Sequence, residues 1–146
     1  MTTTTEVKTT TFLNYIDGEW IASETGKTGE SKNPARKDEV VGTYQLSNSN
    51  DFGKAATAAR KAQKAWRKLA GNVRGDYLLK AASIMEERID DIATVMTLEM
   101  GKTFPEAKGE TARGVAILRY FAGEGMRSIG DVIPSTDSEA LMFTTR

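Results

Sequence analysis

The first third of the chain has the pattern of short strands. Residues 12–21 are rich in apolar and aromatic residues on either side of an Asp-Gly pair at 17–18, and short runs of this kind around a turn pair are typical of two strands. The Asp-Gly pair predicts a β-hairpin, because the turn of a tight hairpin needs positive φ angles. Residues 23–32 predict a loop or a weak edge strand, the Asn-Pro pair at 33–34 a turn, and residues 40–44 another short strand.

The apolar spacing then changes to three and four residues, which predicts amphipathic helices. The first helix is alanine-rich and is expected over residues 49–69. Ser47 or Asn48 is its expected N-terminal cap, since a side-chain oxygen at this position accepts a hydrogen bond from a free backbone N–H. Gly71 is its expected terminator.

The next helical pattern begins after Asn72, its expected cap, and continues to Gly101. Because a single helix of this length is unusual, we expect a break near residues 88–91. Pro105 suits the first turn of a following helix, where the missing N–H of proline would be unpaired in any case. That helix is expected to end near Arg127.

The two ends of the chain carry further expectations. Residues 1–11 are threonine-rich, and we expect them to form a disordered tail. Residues 131–134 are interpreted as a turn-rich exit, and residues 140–145 as a final strand without an antiparallel partner in the sequence. An unpaired strand edge can pair with other molecules and cause aggregation. We therefore expect the chain to be a fragment of a larger protein. The predicted fold class is α/β, mostly helical, with three to four helices.

Composition narrows the possible chemistry. The 146 residues include no cysteine and no histidine, so the chain itself offers no thiol nucleophile, disulfide, thiolate zinc site or histidine base. Its 20 Lys and Arg residues balance its 20 Asp and Glu residues, which argues against non-specific binding to nucleic acid or anionic membranes. No signal-peptide or membrane-span pattern is present, and we expect a cytoplasmic protein.

Several short segments resemble the opening of the aldehyde dehydrogenase superfamily, and they occur in the order of that family. These segments are residues 14–20, 33–35, 65–67, 98–102, 105–107, 110 and 120–123. Together they cover essentially residues 12–146. The sequence around residues 123–126 and 131–136 resembles that of bacterial dehydrogenases that act on semialdehydes such as α-ketoglutaric semialdehyde.

The resemblance implies a cofactor-binding domain, a catalytic domain and a β-strand oligomerisation arm in the complete protein. Residues 12–130 would supply the hairpin and helical part of the cofactor-binding domain, and residues 131–146 would begin the arm. The resemblance also implies oxidation of an aldehyde to a carboxylic acid with NAD or NADP, through a cysteine thiohemiacetal. The catalytic domain is expected to be absent from this chain. We therefore expect no catalytic or cofactor-binding residue, no activity and no bound cofactor.

An alternative interpretation is a free-standing helical interaction or oligomerisation module derived from that family. The final strand, from Ala140 to Thr145, can add to the sheet edge of another molecule. Under either hypothesis we expect self-association through this strand. A small aldehyde would be a partner of the complete protein only.

Glu99 is the candidate metal-binding residue. The resemblance implies that, in some members of the family, the matching acidic position lies near a monovalent cation. Backbone carbonyls around the position of Ser31-Lys32 would hold that cation, although Lys32 stands here where an apolar residue is usual. The alternative for Glu99 is a carboxylate in the last turn of a helix, paired with Lys102 or Arg113.

Other features have a structural interpretation. Gly101-Lys102 lacks the upstream glycine and the following hydroxyl of a phosphate-binding loop, so a helix end is favoured. Glu106 and Glu110 lie one helical turn apart and could form an acid/base pair, but solvated ion pairs with neighbouring cations are favoured. Trp20 and Trp66 are expected to be packing anchors rather than ligand platforms, and Tyr120 and Phe121 are expected to belong to the core.

Overall fold

The computed structural model describes residues 10–127 and 129–145. In chain order the elements are β1 (Thr10–Phe12), β2 (Asn14–Ile16), β3 (Glu19–Ile21), β4 (Thr28–Lys32), β5 (Val40–Gln45), α1 (Ser49–Trp66), α2 (Gly71–Glu87), α3 (Ile89–Met100), α4 (Phe104–Ala122), a 3-10 helix (Glu124–Met126), β6 (Val132–Ile133) and β7 (Met142–Phe143). This architecture confirms the predicted α/β class, mostly helical, with four helices. None of the helices in these residues combines the length and the apolar character that crossing a membrane requires.

The hairpin predicted around the Asp-Gly pair is present. Strands β2 and β3 pair antiparallel, and the turn between them holds Asp17 at a φ of 52° and Gly18 at a φ of 88°. Both angles lie in the left-handed region that a type I′ turn needs, which explains the choice of these two residues. Tyr15 lies opposite Trp20 in the register, and their ring centroids are 4.9 Å apart.

A separate three-stranded sheet has the strand order β1-β5-β4. Strand β1 runs parallel to β5, with Thr10 opposite Gly42, and β4 runs antiparallel to β5. The expectation of a disordered tail is therefore wrong for Thr10 and Thr11. Their pairing partner is β5, which lies about 30 positions later in the sequence and could not be identified from the neighbouring residues. Residues 1–9, the rest of the predicted tail, lie outside the described residues.

Helix α1 begins as predicted but ends differently. The side-chain oxygen of Asn48 accepts hydrogen bonds from the backbone N–H groups of Asn50 and Asp51, so Asn48 is the cap. The helix ends at Trp66, and the prediction that Gly71 terminates it is wrong.

Gly71 is instead the first residue of α2. A Cβ atom on Gly71 would lie 2.2 Å from the carbonyl oxygen of Gly125, so glycine is needed here for a close approach of two backbone segments. The prediction that Asn72 caps α2 is also wrong, because Ala70 occupies the cap position. A contact with a distant segment, rather than a local stop or start signal, explains the glycine.

The boundaries of α3 and α4 follow local signals more closely. The predicted break lies at Arg88, between α2 and α3. Helix α3 ends at Met100, and Gly101 follows as its predicted terminator, with a left-handed φ of 70°. Pro105 occupies the first turn of α4, also as predicted. Helix α4 ends at Ala122 rather than near Arg127, because a short 3-10 helix follows it.

The core lies where α4 packs against α2 and α3, and it is built mainly from small side chains. Its buried apolar residues are Ala82, Ala93, Ala107, Val115 and Ala122. A Cβ atom on Gly75 would lie 2.3 Å from the carbonyl oxygen of Ala122, so α2 and α4 are in direct backbone contact. The prediction that Tyr120 and Phe121 belong to the core is wrong: these side chains are 56% and 55% exposed. The inward face of α4 carries Val115 and Ala122 instead.

A second hairpin closes the described part of the chain. Strands β6 and β7 pair antiparallel, with Val132 opposite Phe143. The backbone N–H of Thr144 donates a hydrogen bond of 2.9 Å to the carbonyl of Asp131. The prediction that the last strand has no partner is wrong. Residues 131–134, expected to form only turns, contain the partner strand β6. Strands of two residues are too short to show the alternation by which a strand is identified in a sequence.

Candidate functional site

Glu99, the candidate metal ligand, lies exposed in the last turn of α3. Its Oε1 atom accepts a hydrogen bond of 3.0 Å from the Ser31 hydroxyl in β4. Lys32, next to Ser31, pairs with Glu30 at 3.2 Å. Within the described residues no group of three or more His, Cys, Asp or Glu side chains could hold a metal ion. The structure thus places Glu99 beside Ser31, and the cation itself stays a prediction.

Lys102, one of the ion-pair partners predicted for Glu99, pairs instead with Glu110 of α4. The distance from Lys102 Nζ to Glu110 Oε2 is 2.7 Å, which confirms the ion pairing predicted for Glu110. Arg113, the other predicted partner of Glu99, lies exposed on α4. Gly101-Lys102 follows the C-terminal end of α3, where the partial negative charge of the helix repels phosphate. The interpretation as a helix end is confirmed.

Glu106 caps α4 instead of forming a surface ion pair. Its Oε2 atom accepts hydrogen bonds from the Thr103 hydroxyl at 2.8 Å and from the Thr103 backbone N–H at 3.1 Å. Both bonds lower the pKa of Glu106, and the bond from the Thr103 hydroxyl has the larger effect. A carboxylic acid that donates a proton near neutral pH needs a raised pKa. The acid/base alternative for Glu106 and Glu110 therefore has no support.

A polar cluster, of which only the Asn48 cap was predicted from the sequence, joins the segment after β3 to the start of α1. We call it the clasp, and its members are Ser23, Glu24, Asn48, Asn50, Asp51 and Lys54. At its centre Asp51 is only 4% exposed. Asp51 Oδ2 accepts hydrogen bonds from the Ser23 hydroxyl at 2.6 Å and from the Asn48 backbone N–H at 3.2 Å.

The electrostatics of Asp51 follow from these contacts. The Ser23 hydrogen bond is the largest influence and lowers the pKa of Asp51, burial acts against it, and the backbone N–H groups of Asn48 and Glu24 lower the pKa further. The buried carboxylate therefore remains charged and hydrogen-bonded at neutral pH. Its position in the first turn of α1 also suits the positive end of the helix.

Glu24 forms the outer part of the clasp. Its carboxylate accepts hydrogen bonds from Lys54 Nζ at 2.8 Å, from Asn50 Nδ2 at 2.7 Å and from Asn48 Nδ2 at 3.0 Å. The bond from Lys54, followed by those from the two asparagines, lowers the pKa of Glu24 to about 2. The same contact raises the pKa of Lys54.

The clasp is suited to attachment rather than to chemistry. Carboxylates with lowered pKa values whose oxygens already accept several hydrogen bonds are poor proton donors and poor bases near neutral pH. One local signal could have indicated part of it, since Asn48 and Asp51 have the spacing of a capping box. No local signal indicated Ser23 and Glu24, which lie far earlier in the chain.

The tryptophans pack against single tyrosines rather than within a core. Trp20 is 65% exposed beside Tyr15, and Trp66 lies with its ring centroid 5.3 Å from that of Tyr77. These contacts agree with a packing role, although neither indole is buried. None of the candidate features described above, the clasp included, brings together a nucleophile, a base and an oxyanion donor, the groups that an active site needs.

Comparison with known proteins identifies the family to which the sequence is similar. The sequence profile of the aldehyde dehydrogenase family matches residues 20–146. The chain is 60% identical to the alpha-ketoglutaric semialdehyde dehydrogenase of Bacillus subtilis over 136 residues, which are 93% of this chain and 28% of that protein. It is 44% identical over 111 residues to the alpha-ketoglutarate semialdehyde dehydrogenase of Haloferax volcanii, covering 76% of this chain and 23% of that protein.

The fold is also similar to solved structures. The NAD-dependent aldehyde dehydrogenase from Sinorhizobium meliloti superposes with a TM-score of 0.85 at 28% identity, over 91% of this chain and 27% of that chain. The chain therefore spans about a quarter of the length of the proteins that it matches. The family and the semialdehyde subgroup predicted from short segments are both confirmed as what the chain resembles.

Proposed function

Because this chain belongs to the aldehyde dehydrogenase family, we propose that it forms the N-terminal part of a longer enzyme that oxidises an aldehyde to a carboxylic acid. The observation that carries the proposal is the 60% identity with a semialdehyde dehydrogenase over nearly the whole chain. In the family a cysteine thiolate forms a thiohemiacetal with the aldehyde and a hydride passes to the nicotinamide. Residues 1–146 contain no cysteine, so the nucleophile must come from residues beyond them.

We propose that residues 12–130 belong to the cofactor-binding domain but do not themselves hold NAD or NADP. Phosphate groups bind well at a free helix N-terminus. Three of the four described helices begin with carboxylates that repel a phosphate: Asp51 in α1, Asp90 and Asp91 in α3, and Glu106 in α4. The start of α2 has no acidic residue, but the Gly125 carbonyl lies against Gly71 there. Titration of the 146-residue chain with NAD⁺ and with NADP⁺ tests this, and micromolar binding of either one would contradict it.

The substrate that we propose for the complete enzyme is an aldehyde with a carboxylate at its other end. Both relatives described above are named for the oxidation of alpha-ketoglutaric semialdehyde. The test compares NAD(P)⁺ reduction by the protein of the relatives' length, with that semialdehyde and with an uncharged aldehyde of equal chain length. A clear preference for the semialdehyde supports the proposal, and equal rates contradict it. The 146-residue chain alone should reduce no NAD(P)⁺ in either assay.

We propose that the hairpin of β6 and β7 mediates self-association and begins an oligomerisation arm over residues 131–146. Val132 in β6 and Leu141 just before β7 are each 75% exposed, and Phe143 in β7 is 59% exposed, so the hairpin presents apolar side chains at its surface. Adding a strand to such an edge is a common mode of association. A free-standing oligomerisation module, the alternative function, would use the same surface.

Light scattering tests the role of this hairpin. Leu141→Asp should lower the average mass in solution, because a buried charge at a contact between copies is costly. Ser138→Asp, in the exposed loop between the strands, is the matched control and should leave the mass unchanged. If neither substitution alters an associated state, the hairpin is not the contact. Activity of the 146-residue chain without any longer protein would instead contradict the enzyme-fragment proposal.

A monovalent cation near Glu99 is proposed as a structural ion only. Its support is the 3.0 Å hydrogen bond from the Ser31 hydroxyl to Glu99 Oε1, which places the carboxylate beside the Ser31-Lys32 segment. The melting temperature should rise when Na⁺ or K⁺ replaces a large organic cation at equal ionic strength. Glu99→Gln should reduce this difference, and a difference that is absent in the unmodified chain would contradict the proposal.

Two further parts of the proposal concern location and partners. We place the complete enzyme in the cytoplasm, because its cysteine nucleophile must stay reduced and that compartment keeps thiols reduced. We expect no nucleic-acid partner, since positive and negative residues balance at 20 each. Cell fractionation and a DNA-binding assay at low salt test these two statements.

A further inference from the structure

We draw no further inference here: the strongest candidate, the open cleft of about 380 Å³ between the start of α2 and the end of α4, which Trp66, Leu78 and Phe121 line beside Arg74, is an unpartnered apolar face, and nothing in the structure shows what covers it.

Discussion

Helix α1 and the group formed by α2, α3 and α4 are attached to the molecule in different ways, although α1, α2 and α4 each contain more than one alanine. Within α1, which is described throughout, Asp51 is the one buried residue, and hydrogen bonds of the clasp hold its first turn. In α2 and α4 the buried residues include Gly75, Ala82, Ala107 and Ala122. An alanine-rich face thus becomes a core only where a second backbone lies close to it.

The physical reason lies in the size of the side chains. An alanine buries little apolar area, so it stabilises a contact mainly by letting two helices come close enough for many dispersion contacts. Helices α2 and α4 achieve this, because Gly75 removes even the methyl group at the closest point. Helix α1 has no such neighbour among the described residues, and directional polar bonds hold it instead.

The largest expected effect comes from adding one methyl group at the contact of α2 and α4. Gly75→Ala would place its Cβ atom 2.3 Å from the carbonyl oxygen of Ala122, so the helices must separate. Overpacking of this kind costs about 1–3 kcal/mol. Urea denaturation should show a lower free energy of unfolding.

Gly53→Ala in α1 is the matched control for this substitution. A Cβ atom on Gly53 would meet nothing within 4 Å, and replacing an exposed helical glycine by alanine stabilises a helix by about 0.5–1 kcal/mol. The two substitutions should therefore have opposite signs. A Gly75→Ala variant with a higher free energy of unfolding would contradict the direct backbone contact between α2 and α4.

The next largest effect is expected at the centre of the clasp. Asp51→Ala removes the acceptor of the Ser23 hydroxyl and of two backbone N–H groups, and buried donors without acceptors are unfavourable. We expect the melting temperature, followed by circular dichroism, to fall by several degrees. Asp91→Ala is the control, because Asp91 also lies in the first turn of a helix but is exposed. Equal effects of the two substitutions would mean that only the helix dipole is involved.

A smaller effect is expected from acid. The pKa of Glu24 is lowered from 4.5 to about 2, so this carboxylate binds a proton more readily in the unfolded chain than in the folded one. Its stabilising contribution is complete above pH 4.5 and is lost as the pH falls toward about 2.

Melting temperatures measured across this pH window test the role of Glu24. Glu24→Gln should make the fall in melting temperature shallower than in the unmodified chain. The exposed Glu19→Gln in β3 serves as the control. An unchanged slope for Glu24→Gln would show that the carboxylate is not protonated in this window.

The smallest expected effect is at the bidentate contact between α2 and α4. Arg119 Nη1 and Nη2 donate to Glu86 at 3.1 Å and 2.6 Å, and both side chains are about half exposed. Solvent and salt screen such a pair. A double-mutant cycle with Arg119→Ala and Glu86→Ala should give a coupling energy that is barely measurable. A coupling comparable to the loss at Gly75→Ala would contradict the view that close packing holds these helices together.

Much of the local structure could be predicted because the responsible residues are neighbours in the chain. The Asp-Gly turn, the Asn48 cap, the break at Arg88 and the left-handed Gly101 each depend on φ angles or hydrogen bonds within a few residues. The candidate site was predictable only in part. Glu99 could be singled out, but its contact with Ser31 joins two elements 68 positions apart.

The sequence by itself determined the fold class, the order of the helices and the family, together with the absence of a cysteine or histidine catalyst from these residues. The tertiary structure alone decided that Thr10 and Thr11 pair with β5, that β6 pairs with β7, and that Gly71 starts a helix. Periodicity indicates which residues form a face, and capping residues indicate where a helix begins. Neither indicates which distant backbone will lie against that face, because this depends on the packing of the whole chain.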